Sequence, residues 1–161
     1  MKRLIAVLFV GGVLGAIAGF AGGIFVYPYI FLAGQVAMEA PVSRDKKVAA
    51  RGIFIHANPS DPVHYGKGKV TVYADTVRLE SNFEVGPGPK FHVYLVPKTG
   101  IKTSSDVKGT MFVDLGRLRA FKGAQNFRIP PGVDLKKFGS VVIWCEAFGV
   151  LISPAALKFE K

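Results

Sequence analysis

The sequence predicts an all-β domain, an antiparallel β-sandwich or barrel of about eight strands, behind one N-terminal transmembrane helix. Three observations predict it. Residues 4–34, LIAVLFVGGVLGAIAGFAGGIFVYPYIFLAG, contain no charged side chain. From residue 51 onward, short runs alternate apolar and polar residues with a period of two. Between these runs lie clusters dense in Gly, Pro, Asn and Asp, and no stretch of useful length has helical periodicity.

Residues 1–34 read as a membrane anchor. A helix over the uncharged run exceeds the roughly 30 Å hydrocarbon core of a bilayer, so part of it spans and the rest tilts or lies in the interface. A cleaved signal peptide needs an apolar core of only about 7–15 residues and a small-residue cleavage site. The run is much longer, and cuts after Ala33, Gly34 or Ala40 put Phe31, Leu32 or Met38 where a small residue belongs. Gly11, Gly15, Gly19 and Gly23 recur every four residues, which lines one helix face with positions that lack a side chain. Such a face lets a second membrane helix approach closely. Pro28 is expected to kink or end the spanning part. Lys2 and Arg3 mark the N-terminus as cytoplasmic, but Arg44, Lys46, Lys47 and Arg51 follow the span, so charge alone does not orient it. A short head before a large domain is the layout of a signal anchor, which puts the domain in the periplasm or extracellular space.

Residues 35–50, QVAMEAPVSRDKKVAA, read as a polar linker with weak helix tendency, and residues 51–161 as the domain. Its expected strands lie in RGIFIHA (51–57), GKVTVYA (68–74), TVRLESNF (76–83), KFHVYLVP (90–97), TMFVDLG (110–116), NFRIP (126–130), SVVIWCEAF (140–148) and VLISPAALKF (150–159). NPSDP, GKG, GPGP, KTG, KGAQ and PPGVD separate them with residues that supply turn geometry.

Beyond residue 40 the chain carries 19 Lys and Arg against 10 Asp and Glu, a net charge near +9. An exported domain does not meet nucleic acid. The anionic surfaces within its reach are lipid headgroups and envelope polymers, and a basic surface kept for solubility explains the charge equally well. Expected partners are therefore the lipid bilayer, a membrane helix or a redox protein, and a second copy of the chain, with no nucleic acid.

Little points to turnover chemistry. His56, His64 and His92 sit on separate segments, and no His or Met follows Cys145, which argues against a one-loop copper site. No metal ligand is assigned. The sequence has no C-x-x-C-H for haem attachment and no nucleophile elbow, and GPGP precedes a strand rather than a helix. No cofactor is indicated by a motif, and an ordinary enzyme is not expected.

One cysteine and one tryptophan stand side by side in VVIWCEAFGV. If residues 141–147 are extended, Val141, Ile143, Cys145 and Ala147 face one way, and Val142, Trp144, Glu146 and Phe148 the other. Cys145 then lies on the smoother apolar face. Burial and the adjacent Glu146 both disfavour its thiolate.

RLESNFEVGPGPKFHVYL (78–95) and DLGRLRAFKGAQNFRIPPGVDLKKFGSVVIWCEAFGVLISPAAL (114–157) resemble the DM-thirteen family over residues 51–159. Within the second block, Leu115-Gly116, KGAQNFRIP (122–130) and VVIWCEAFGV (141–150) fall in family order and spacing. The chain looks like bacterial members that carry one such domain behind a membrane helix. It departs from the family at Lys90, where an acidic residue is common after Gly-Pro. The resemblance implies a β-rich extracytoplasmic domain with a redox or electron-transfer role centred on Cys145, supported by Trp144 and Glu146. The competing expectation is a non-catalytic binding or scaffolding module of the cell envelope. A lone thiol does redox work by pairing with a partner's cysteine, by ligating a metal or haem, or through sulfenic acid. Each route needs access, so Cys145 is expected at the edge of the core, partly buried.

Overall fold

The computed structural model describes residues 2–27, 30–31 and 33–160. Helix α1 (Lys2–Tyr27) is uniformly apolar after its two basic residues, and its described side chains are exposed. Within it Lys2–Ile24 is long and apolar enough to cross a membrane, about 35 Å at 1.5 Å per residue. Pro28 lies outside the described residues.

The rest is mostly β. The strands are β1 (Val36–Met38), β2 (Val48–Phe54), β3 (Gly66–Tyr73), β4 (Thr76–Leu79), β5 (Glu84–Val85), β6 (Phe91–Val96), β7 (Val113–Arg117), β8 (Lys122–Arg128), β9 (Ser140–Cys145), β10 (Val150–Ala156) and β11 (Lys158–Phe159). The eight longer ones overlap the predicted runs, but GKG (66–68) and KGAQ (122–125), expected as turns, are built into β3 and β8, because Gly68 and Gly123 take positive φ within their strands rather than ending them. The short β1, β5 and β11 raise the number among the described residues to 11, and they are too brief for a two-residue period to stand out.

All belong to one sheet in the order β1-β8-β4-β3-β2-β10-β9-β6-β7, with β11 on β2 and β5 between β3 and β8. The pairings are antiparallel except β1–β8, which makes the sheet mixed rather than purely antiparallel. Strand β7 is last in the order and β8 second, yet only residues 118–121 join them. Five peptide steps reach at most about 18 Å, so the sheet has to curl until its ends approach. The joining segment is pinned. Leu118 N donates to Phe91 O at 2.8 Å, and buried Gln125 accepts from Arg119 N at 2.9 Å while its amide donates to Ala120 O at 2.8 Å.

The main core fills the concave side, with Val70, Val72, Val77, Leu79, Val93, Leu95, Phe127, Val141, Ile143 and Ile152 almost fully buried. A smaller cluster of Tyr94, Val96, Val142, Trp144 and Leu151 lies on the other face of β6, β9 and β10, covered by Ile101 and Val107. The cover is the connection from β6 to β7, which Ser104 fastens by accepting from Leu151 N at 2.9 Å.

The stretch 35–50, expected as a linker, is built into the domain. Val36–Met38 pair with Lys122–Ala124, and the Glu39 carboxylate takes the Arg119 guanidinium at 2.6 Å and Asn126 N at 2.8 Å. Arg78 and the Asn126 side chain both donate to Ala40 O. These partners come from three other segments, so no local pattern announces them. Because Val36 aligns with Lys122, and Lys122 with Glu84, the chain enters the domain at the end where β5 leads into the Gly86–Lys90 turn.

Candidate functional site

That end of the sheet holds Cys145. Strand β9 is apolar on both faces, VVIWC, because it lies between β6 and β10 with clusters on either side. Parity holds along it: Val141, Ile143 and Cys145 belong to the main core, Val142 and Trp144 to the outer cluster. Trp144 therefore adjoins Cys145 in sequence but packs on the opposite face.

Cys145 is 1% exposed, which corrects the expectation of partial burial. The strand parity foretold the inward direction. The cover comes from the Gly86–Lys90 turn, whose Pro89 carbonyl accepts from Sγ at 3.2 Å. Gly88 allows the turn to lie this close, since a Cβ there would sit 2.4 Å from the Phe91 ring. At the turn's end Lys90 has φ +52°, a left-handed conformation unusual for a side-chain-bearing residue. It is held there by Glu146 N donating to Lys90 O at 3.1 Å and by the ion pair of its ammonium with Glu146 at 3.0 Å.

Burial pushes the Cys145 thiol up, and the Glu146 charge adds to this, while the backbone amides of Phe148 and Ala147 oppose it by favouring the thiolate. The sulfur thus has an acceptor on one side and amide donors on the other. The sequence does not display those amides, because they belong to the turn that follows β9.

On the outer face, Glu146 meets residues of two other strands. Register sets His92 opposite Trp144 and Phe91 opposite Cys145. Between β6 and β7 the register slips, with His92 opposite Arg117 but Tyr94 opposite Asp114. This bulge needs Gly116, whose φ is +114°. It brings Asp114 beside His92, with Asp114 Oδ2 3.0 Å from Nδ1, while Nε2 faces Glu146 Oε2 at 3.4 Å. Gly116 N donates to Asp114 at 2.8 Å, and the Tyr94 hydroxyl donates to Glu146 at 3.0 Å. Lys90 holds the Glu146 carboxyl below its ordinary value, aided by Tyr94 and His92 against some burial. Burial raises the Tyr94 phenol, with Glu146 adding to the effect. Tyr94 also stacks on Phe112, centroids 4.3 Å apart, and more distantly on Trp144 at 6.3 Å.

Glu146 and Trp144 therefore join His92, Asp114 and Tyr94 rather than the thiol. The sequence places Asp114 32 residues before Glu146 and 22 after His92, and only the DLG bulge hints that it turns toward a neighbour. The other two histidines lie apart. His56 contacts Asp61 O at 2.7 Å, and His64 the Asp61 carboxylate at 2.6 Å. Among the described residues nothing lies within 4 Å of where a Cβ of Gly11, Gly15, Gly19 or Gly23 would stand.

Comparison with known families matches residues 60–157 to the family described as electron transfer DM13. The match covers more than half of the chain, which belongs to that family. Comparison with curated proteins and with solved structures found no match.

Proposed function

From membership of the electron transfer DM13 family, we propose that this chain is a membrane-anchored extracytoplasmic domain whose redox group is the Cys145 thiol. The observation that carries the reading is how the sulfur is held. It sits at a strand end, between the Pro89 carbonyl and the amides of Ala147 and Phe148, with the Gly86–Lys90 turn on the Pro89 side. Opening that turn exposes the thiol without unfolding the sheet. A partner with a disulfide then completes the chemistry. Cys145 loses its proton to solvent, its sulfur attacks one sulfur of the partner's disulfide, that bond breaks, and the departing sulfur leaves as thiolate. The apolar α1 supports a bilayer anchor, and the basic head with a large following domain supports the outward orientation.

A second reading is favoured by the burial itself. A thiol 1% exposed and shifted toward its protonated form packs as a small hydrophobe. The domain is then a binding module of the envelope, presenting its basic surface or the glycine face of α1.

Reaction of the full-length protein in detergent with a small aromatic disulfide separates the two. The redox reading expects one equivalent of released thiolate at a rate well above that of global unfolding, and none from Cys145→Ala. If release occurs only as the whole domain unfolds, the binding module stands and the redox reading falls.

A further inference from the structure

We propose that His92, Asp114 and Glu146 bind a divalent first-row transition ion, with Zn²⁺ as the type case, on the face of the sheet opposite the thiol. Their donor atoms all lie within 4.8 Å of one another. His92 and Asp114 are held by the paired strands β6 and β7, and Glu146, the first residue of the turn after β9, by its amide donating to Lys90 O at 3.1 Å.

Both carboxylates already have a supporting partner. Gly116 N holds Asp114, and the Tyr94 hydroxyl holds Glu146. Such outer contacts orient ligands and restrict their rotamers. The imidazole side chain is 14% exposed and that of Asp114 38%, so the group is sheltered yet open on the Asp114 side for an ion to enter.

The donor set selects the ion. One imidazole and two carboxylates suit Zn²⁺, Mn²⁺ or Fe²⁺, whereas Ca²⁺ and Mg²⁺ prefer oxygen alone and Cu⁺ prefers sulfur. Cys145 supplies no sulfur here, because its side chain enters the main core.

The arrangement also sets a cost. At present the ring stands between the carboxylates, Nδ1 toward Asp114 and Nε2 toward Glu146. Ligand atoms around a tetrahedral ion with bonds of about 2.0–2.1 Å are about 3.4 Å apart, so one carboxylate has to swing toward the other's nitrogen. The ion also has to displace the Lys90 ammonium, 3.0 Å from Glu146. Lys90 is thus a built-in competitor, and it occupies a φ of +52° that glycine adopts without strain. Lys90→Gly removes the competing charge and keeps the turn.

The test titrates full-length protein in detergent with Zn²⁺ by calorimetry, with Mg²⁺ in excess throughout. The wild type is expected to bind one equivalent. Asp114→Asn and His92→Gln, both near-isosteric, are expected to weaken binding at least tenfold, and Lys90→Gly to tighten it about tenfold by removing a like charge beside the site. His64→Asn, in the separate group around Asp61, is expected to leave it unchanged. No binding of Zn²⁺ by Lys90→Gly overturns the proposal. So does wild-type binding that survives both Asp114→Asn and His92→Gln.

Discussion

Strand β9 has two faces that share a backbone and almost nothing else. On one, Val141, Ile143 and Cys145 enter the large core of the curled sheet. On the other, Val142 and Trp144 form a small cluster closed by one connection, and the row runs out into Glu146, His92 and Asp114. Consecutive residues therefore meet opposite conditions. The Cys145 thiol is buried and held toward its protonated form, while the next carboxylate is partly exposed and Lys90 favours its ionised form. The difference teaches that the conditions change where the strand ends, since every residue of β9 is buried on both faces while Glu146 opens the following turn on the outer side. The chain carries one cysteine and one tryptophan, so thiol reactivity reports on the inner face and indole fluorescence on the outer.

The largest expected effect breaks the inner face. Ile143 and Val142 are both 0% exposed, but Ile143 stands among many large side chains and Val142 among few. Ile143→Ala is expected to cost about 3–4 kcal/mol, within the range for a buried aliphatic truncation, and Val142→Ala about 2 kcal/mol. Denaturant melts of the two variants measure the gap. Equal losses would mean that the outer cluster is as deep as the core.

A smaller effect acts on the cover of the thiol. Gly88→Ala forces a Cβ against the Phe91 ring, and the expected cost is about 1–3 kcal/mol, as for other overpacked sites. The cost falls on the Gly86–Lys90 turn, so the thiol should react faster while the Trp144 emission stays in place. A shift in emission with no gain in thiol reactivity would show that the turn does not cover the sulfur independently of the sheet.

The smallest effect concerns a latch that belongs to neither face. Burial alone would raise the Glu39 carboxyl, but the Arg119 guanidinium, the Asn126 amide and the Arg78 charge outweigh it and hold the group below its usual 4.5. A carboxyl depressed in the folded state contributes stability above its ordinary value and loses it as pH falls through the folded one. Hydrogen-exchange protection of residues 36–40 is therefore expected to hold above that ordinary value and to drop as pH falls below it. Glu39→Gln should remove this pH dependence at a cost of about 1 kcal/mol, since the pair is partly solvated. Thiol reactivity and indole emission should not change.

Much of this was legible in the residues. The approximate places of the eight longer strands follow from two-residue alternation, though GKG and KGAQ read as turns and are strand, and the inward direction of Cys145 follows from counting along VVIWC. The depth of its burial was not, because the covering turn is 56 residues away and only register brings Pro89 to the sulfur. Stretch 35–50 looks like a linker for a similar reason. Its strand is three residues long, and Glu39, its main attachment, pairs with an arginine 80 residues later.

By itself the sequence determined roughly where the eight longer strands lie, that one segment can enter a membrane, and that a lone thiol points into an apolar layer. Those properties depend on side-chain period, hydropathy and turn chemistry, which are local. The tertiary structure alone decided that the sheet curls, that a proline-stiffened turn closes over the thiol, and that His92, Asp114 and Glu146 converge on the opposite face. Each depends on strand order and on a one-residue slip at Gly116, and a pairing register is a relation between distant segments that neither segment encodes alone.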